Sequence, residues 1–167
     1  MFDWIKSMVS PPEPAGPPRP VRIFKAADAI INQDSVTLEN DLLLVEVAQE
    51  SSVRLFEVHE PEVDNCILTY RAEFKTKDAL GRVFLTMWCR FPGRGEFYSK
   101  GFHHAVKGAN DWASYETPYF LKPGQTPDLI KLNLESEGQS KVWLRNPELL
   151  CTPLAQSDDT EDTADEG

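Results

Sequence analysis

Between Val21 and Leu150, apolar and polar residues alternate in short runs broken by Gly and Pro. This is the period-2 pattern of antiparallel strands with one face buried. Nine runs carry it: VRIFK, DLLLVEVA, VRLFEV, CILTYRAEFKT, RVFLTMWCRF, EFYSKGF, WASYETPYFL, LIKLNLES and KVWLRNPEL. Nine short strands in about 130 residues predict an all-β fold, an antiparallel two-sheet β-sandwich. Turns are expected where Gly and Pro supply the backbone angles, at DALG (Asp78 to Gly81), PGRG (Pro92 to Gly95), KGAND (Lys107 to Asp111), PGQTP (Pro123 to Pro127) and SEGQS (Ser136 to Ser140). Helix has little room; AADAIINQ, Ala26 to Gln33, is long enough for one or two turns.

The alternation also assigns faces. From Arg82 to Phe91 the odd positions Val83, Leu85, Met87, Cys89 and Phe91 are apolar and read as core, leaving Phe84, Trp88 and Arg90 outside. From Cys66 to Thr76, Leu68, Tyr70, Ala72 and Phe74 read as core, with Arg71, Glu73 and Lys75 outside. Ile130, Leu132 and Leu134 turn inward against Lys131, Asn133 and Glu135, and Val142 with Leu144 opposes Trp143 and Arg145.

Composition divides the 167 residues into three parts. Residues 1–20 are a short apolar segment, MFDWIKSMVS, followed by PPEPAGPPRP, which holds six of the 13 prolines. Such a run favours extended polyproline II and holds the first ten residues roughly 30 Å from the domain. Residues 21–150 are the sandwich domain. Residues 151–167 end in SDDTEDTADEG, with six acidic residues and no large apolar one, a composition expected to be disordered. Without those six charges the net charge falls from -10 to -4, so the folded part is only mildly acidic. Nucleic acid is therefore not the expected partner, because phosphate binding needs a clustered positive field.

No stretch approaches the roughly 20 apolar residues of a membrane span. MFDWIKSMVS lacks a basic start, and Asp3 and Lys6 interrupt its apolar run, so it does not read as a signal peptide and a cytoplasmic protein is expected. Three cysteines, Cys66, Cys89 and Cys151, form neither a disulfide framework nor a zinc pattern.

The order of motifs in the second half resembles a known family. A loop ending NDW, then YETPYFL, then PDLIKLNLESEG and a final KVWL are similar to the C-terminal half of galactose-binding-like jelly rolls, including non-catalytic carbohydrate-binding modules. The resemblance covers about Cys66 to Leu150, and it implies a jelly-roll fold and a binding role. It departs where the family's last strand carries a pair of aspartates: Arg145 and Asn146 stand there, followed by Pro147, so no calcium site is transferred.

Trp88, Arg90, Arg71, Glu73, Asn133 and Trp143 make the candidate ligand-binding set. An indole face stacks on the C–H face of a sugar, and charged and amide groups orient its hydroxyls. The plainer alternative is that the tryptophans are covered and the charges pair across strands as sheet stabilisers. His103 and His104 would need two or more further donors to hold a metal, and adjacent residues in a strand point to opposite faces, so exposed histidines or a part in loop-edge ligand binding are expected instead. No nucleophile elbow, phosphate loop, zinc-protease or dinucleotide motif is present, and no cofactor is expected. Two pairings have residue types that catalysis uses, Cys89 with His103 and Glu73 with Glu96, but Cys89 falls on the apolar face, where a thiol is inert, and a chain with 27 acidic residues offers carboxylate pairs by chance. The expected function is a non-catalytic module for carbohydrate or a related polyhydroxylated ligand. The alternative is an interaction or scaffold domain for which MFDWIKSMVS, with Phe2, Ile5 and Val9 at helical spacing, serves as a docking peptide for a protein partner.

Overall fold

The computed structural model describes residues 14–29 and 34–155. The N-terminal segment, the start of the Pro-rich linker, the second half of the AADAIINQ stretch and the acidic tail lie outside the described residues. The described residues form nine strands: β1 (Arg19–Ile23), β2 (Val36–Glu39), β3 (Leu42–Val47), β4 (Ser51–His59), β5 (Cys66–Phe91), β6 (Gly95–Lys100), β7 (Val106–Leu121), β8 (Leu129–Ser136) and β9 (Ser140–Pro153). All pairings between them are antiparallel. Of the AADAIINQ stretch, Ala26–Asp28 forms a single 3-10 turn, started by the Lys25 backbone N–H donating to Asp28 Oδ2 at 2.8 Å.

The strands form one curled antiparallel sheet of nine whose halves pack as two layers around one core, the all-β sandwich that the alternation implies. The first half of β5 lies between β7 and β9, and β9 carries β3 and β1 along its other edge, with β2 on β3. The second half of β5 lies between β6 and β8, with β4 beyond β8. One strand of 26 residues therefore belongs to both layers.

That continuity corrects the expected turn at DALG. Its residues stay in the strand, and the change of layer is made by register shifts between Phe74 and Val83 and by Asp78 at φ 53. Asp is among the few residues besides Gly that tolerate the left-handed region. The irregularity also changes which parity faces inward, from Leu68, Tyr70 and Phe74 to Val83, Leu85 and Met87. KGAND likewise lies inside β7, with Gly108 at φ 80. The PGRG turn is formed as expected: Gly93 and Gly95 adopt φ 77 and 98, and the Arg94 N–H donates to the Phe91 carbonyl at 2.9 Å.

The two inner faces interlock through aromatic contacts. Phe24, just past β1, stacks on Phe56 of β4 with centroids 4.3 Å apart, and Phe91 of β5 meets Tyr119 of β7 at 6.2 Å. Each fully buried Leu, such as Leu43, Leu68 or Leu132, adds about 1.5–3 kcal/mol of burial free energy. Phe84, expected on the outer surface, is also buried at 3% exposure, although it has the outward parity of its strand. Tyr70 is fully buried and its hydroxyl has no hydrogen-bond partner among the described residues. An unpaired buried hydroxyl carries its full desolvation cost. Tyr70→Phe is therefore expected to stabilise the protein by about 1 kcal/mol, read as a higher urea midpoint at unchanged slope.

Candidate functional site

Because β5 runs through both layers, the six candidate residues are divided between two outer faces on opposite sides of the core. Arg71, Glu73 and Trp143 are on the first layer; Trp88, Arg90 and Asn133 are on the second. The structure does not bring the six together into one site.

On the first layer the charges are engaged in cross-strand pairs. Arg145 Nε donates to Glu73 Oε1 at 2.7 Å, and Arg71 donates to Glu148 Oε2 at 2.7 and 2.9 Å. Trp143 Nε1 donates to Glu39 Oε1 at 3.1 Å, while the Lys75 and Lys141 ammonium groups sit 4.9 and 5.0 Å from its ring centre. Trp112, which the sequence reading did not include, lies on the other side of Lys75, and the Arg145 guanidinium stacks on it at 4.0 Å. Here the ring faces are engaged by the protein's own cations, the arrangement of a sheet stabiliser.

The second layer is different. Trp88, half-buried on β5, stands between Lys131 of β8 and Tyr98 of β6, and its ring lies 4.7 Å from that of Tyr98 at a tilt of 41°. Lys131 Nζ meets Glu96 Oε2 at 2.7 Å, so an ion pair crosses β5 beside the indole. A depression of about 200 Å³ is lined by Ser52, Arg54, Trp88, Glu96, Lys131 and Asn133. Asn133 is 5% exposed; its Nδ2 donates to Ser52 Oγ at 3.2 Å, and Ser52 donates in turn to Glu135 Oε2 at 2.5 Å. That relay fixes the orientation of the amide, since the Ser52 proton is committed to the carboxylate and its oxygen must accept. Asn133 Oδ1 is left without a partner, as is Oγ1 of the neighbouring Thr86. Arg90 is at the end of this face, paired with Asp128 at 3.0 and 3.2 Å.

Trp88 and Asn133 are thus the two candidates that share a depression. Ser52, Arg54 and Glu96 join them only through pairing. Ser52 sits opposite Glu135, and Glu96 opposite Arg90, and neither register can be read from a local pattern.

Neither catalytic pairing is assembled. Cys89 is fully buried, with its thiol pushed up to about 12 by burial, whereas His103 is exposed. Glu73 and Glu96 are on opposite layers. Among the described residues, no three His, Cys, Asp or Glu side chains come together as a metal site, and the cysteines are free and buried. Where the resembled family carries aspartates, Asn146 adopts φ 52 and makes a bulge opposite the Arg71–Glu73 step of β5. No helix among the described residues is long and apolar enough to cross a membrane.

Among the described residues, three carboxyls titrate below their ordinary values of 4.5 for Glu and 3.8 for Asp: Glu73 through its hydrogen bond from Arg145, Glu137 through that from Arg82, and Asp128 through that from Arg90. A lowered folded value means that the stabilisation is present above the unfolded value and is lost as the pH falls through the folded one. The thermal midpoint is therefore expected to be flat from neutral pH down to about 5 and to fall below about 4. The slope should be shallow and weakened by salt, because all three pairs are solvent-accessible.

No family model matches the chain, and no curated protein is significantly similar to it. Solved structures to which it is similar include carbohydrate-binding modules. The CBM22-1 xylan-binding domain of Paenibacillus barcinonensis Xyn10C is 13% identical with a TM-score of 0.48, over 86% of this chain and 90% of that one. The CBM22-1 and GH10 modules of Clostridium thermocellum xylanase 10B, complexed with xylohexaose, give 11% and 0.48 over 83% of this chain and 26% of that one. A family 29 carbohydrate-binding module, CBM29-2, gives 9% and 0.46 over 79% and 76%. Likeness at this level assigns no ligand and no residue roles.

Proposed function

We propose that this protein is a non-catalytic carbohydrate-binding domain whose ligand lies against Trp88 on the outer face of the second layer. The observation that carries the proposal is the buried, unpartnered Asn133 Oδ1 in the wall of a depression that also holds an indole. An unpaired buried acceptor is costly to a folded protein, and a ligand hydroxyl that donates to it recovers that cost. The rest of the lining suits a polyol. The Trp88 ring offers an apolar face for sugar C–H groups, Lys131 and Arg54 offer donors, and Glu96 offers an acceptor. Lys131 and Glu96 have to exchange part of their mutual contact for the ligand, which favours a neutral sugar that can satisfy both a donor and an acceptor. A glycan-array screen of the full chain, followed by tryptophan emission on each hit, tests this. A specific hit that shifts the emission is the expected result; a blank array with correctly folded protein would remove the carbohydrate reading.

A further inference from the structure

Three of the six large apolar side chains exposed among the described residues, Phe97 at 49%, Tyr98 at 51% and Phe120 at 46%, gather at one place. They line, with Pro118, Tyr119 and Lys122, an open groove of about 590 Å³ where the edges of β6 and β7 approach each other. Here the sandwich is closed by side chains, Ser99 Oγ meeting Thr117 Oγ1 at 3.0 Å, rather than by a backbone ladder. Scattered exposed aromatics are ordinary, but a contiguous aromatic groove marks a surface that something covers.

The position of the N-terminal chain says what covers it. Pro14 bridges to Leu154 beyond the end of β9, and the Ala15 N–H donates to the Pro153 carbonyl at 2.7 Å. Asn65 Nδ2 donates to the Leu154 carbonyl at 3.3 Å, and the Asn65 N–H donates to the carbonyl of Lys122 at 3.4 Å. Lys122 is part of the groove. The point where residues 1–13 join the described chain is thus three strand spacings, about 14 Å, from the groove at the same end of the molecule. A run of three residues such as PPE can reach roughly 9 Å, so only about 5 Å of the way to the groove is left for MFDWIKSMVS to cover. Six of the ten residues of that segment are large and apolar (Met1, Phe2, Trp4, Ile5, Met8 and Val9), and Lys122 in the groove offers a counter-charge for its one acid, Asp3.

We infer that Met1 to Ser10 docks onto the aromatic groove of its own chain, with the Pro-rich run as the strap. The occupant is this chain's own segment rather than a separate partner because its tether places it beside the groove at high effective concentration. Docking removes the exposed aromatics from solvent, so a protein that presses the same groove would have to displace the segment.

The experiment is hydrogen–deuterium exchange on the full-length chain, compared with full-length Phe97→Ser/Phe120→Ser, with light scattering to fix the oligomeric state. Both substituted side chains are surface-exposed, and neither lines the depression at Trp88. The expected result is a monomer in which the amides of residues 2–9 exchange at least tenfold more slowly than in the double variant. Equal exchange in the two proteins overturns the inference. Protection that rises with protein concentration together with a dimer also overturns it, by making the occupant a second copy's segment. An array-positive protein with an unprotected segment separates this inference from the carbohydrate reading, since neither Phe97 nor Phe120 lines the depression at Trp88.

Discussion

Gly81→Ala is expected to destabilise the protein by about 3 kcal/mol, the upper range for forcing extra volume into a packed interior. Gly81 sits where β5 leaves one layer for the other. A Cβ there would lie 2.4 Å from the carbonyl carbon of Glu137, 2.5 Å from its oxygen and 2.8 Å from the nitrogen of Gly138. All three contacts are backbone, so no side chain can rotate away. The two segments are also held by hydrogen bonds on either side of the contact: the Leu80 N–H donates to the Gln139 carbonyl and the Glu137 N–H to that of Arg82, both at 2.9 Å. Relief requires the crossover of β5 or the turn between β8 and β9 to move, and either movement disturbs both layers. Urea unfolding measures the loss. Gly16→Ala, whose added Cβ would meet only the Pro153 ring at 3.5 Å, is the control and should stay within about 0.5 kcal/mol. Equal midpoints for Gly81→Ala and the parent would mean that the close approach is not held in solution.

Trp88→Ala is expected to weaken binding of any glycan found on the array by about thirtyfold, or about 2 kcal/mol, the scale on which a central aromatic anchor contributes to an interface. Trp143→Ala, on the other layer with its ring flanked by Lys75 and Lys141, should change the same Kd by no more than about twofold. The contrast matters more than either value, because both tryptophans are half-buried outer-face residues and a general loss of folding would affect both. Titration calorimetry on the two variants reads it. A loss confined to Trp143→Ala would move the site to the first layer, beside Trp112, Glu73 and Arg145.

The Asn133 amide sets the polarity that a ligand needs at the proposed site. Asn133 Oδ1 accepts whereas its Nδ2 is already used by Ser52, so the contact calls for a ligand donor, which every free sugar hydroxyl provides. The arginines singled out from the sequence contribute differently: Arg90 and Arg71 are held by Asp128 and Glu148, and their forks are already matched to carboxylates.

Alternation by itself determined the all-β class, the strands from Val83 to Phe91 and from Leu129 to Ser136 and their core residues, because a half-buried strand must present every second side chain to the interior. The same rule put Trp88, Asn133 and Trp143 on outer faces. It could not say that the runs on either side of DALG are a single strand, since Asp and Gly in sequence signal a turn whether they reverse the chain or only shift its register. That distinction was decided by tertiary pairing: β7 and β9 hold one half of β5 and β6 and β8 the other, and the Asp78 irregularity reverses the inward parity between them. Once β5 belonged to both layers, Arg71 and Glu73 were carried to the face opposite Trp88. The six-residue candidate set divided, and Ser52, Arg54 and Glu96 arrived beside the indole from β4 and β6. Period-2 patterning sorts inside from outside within one strand; only long-range register decides which outside residues become neighbours.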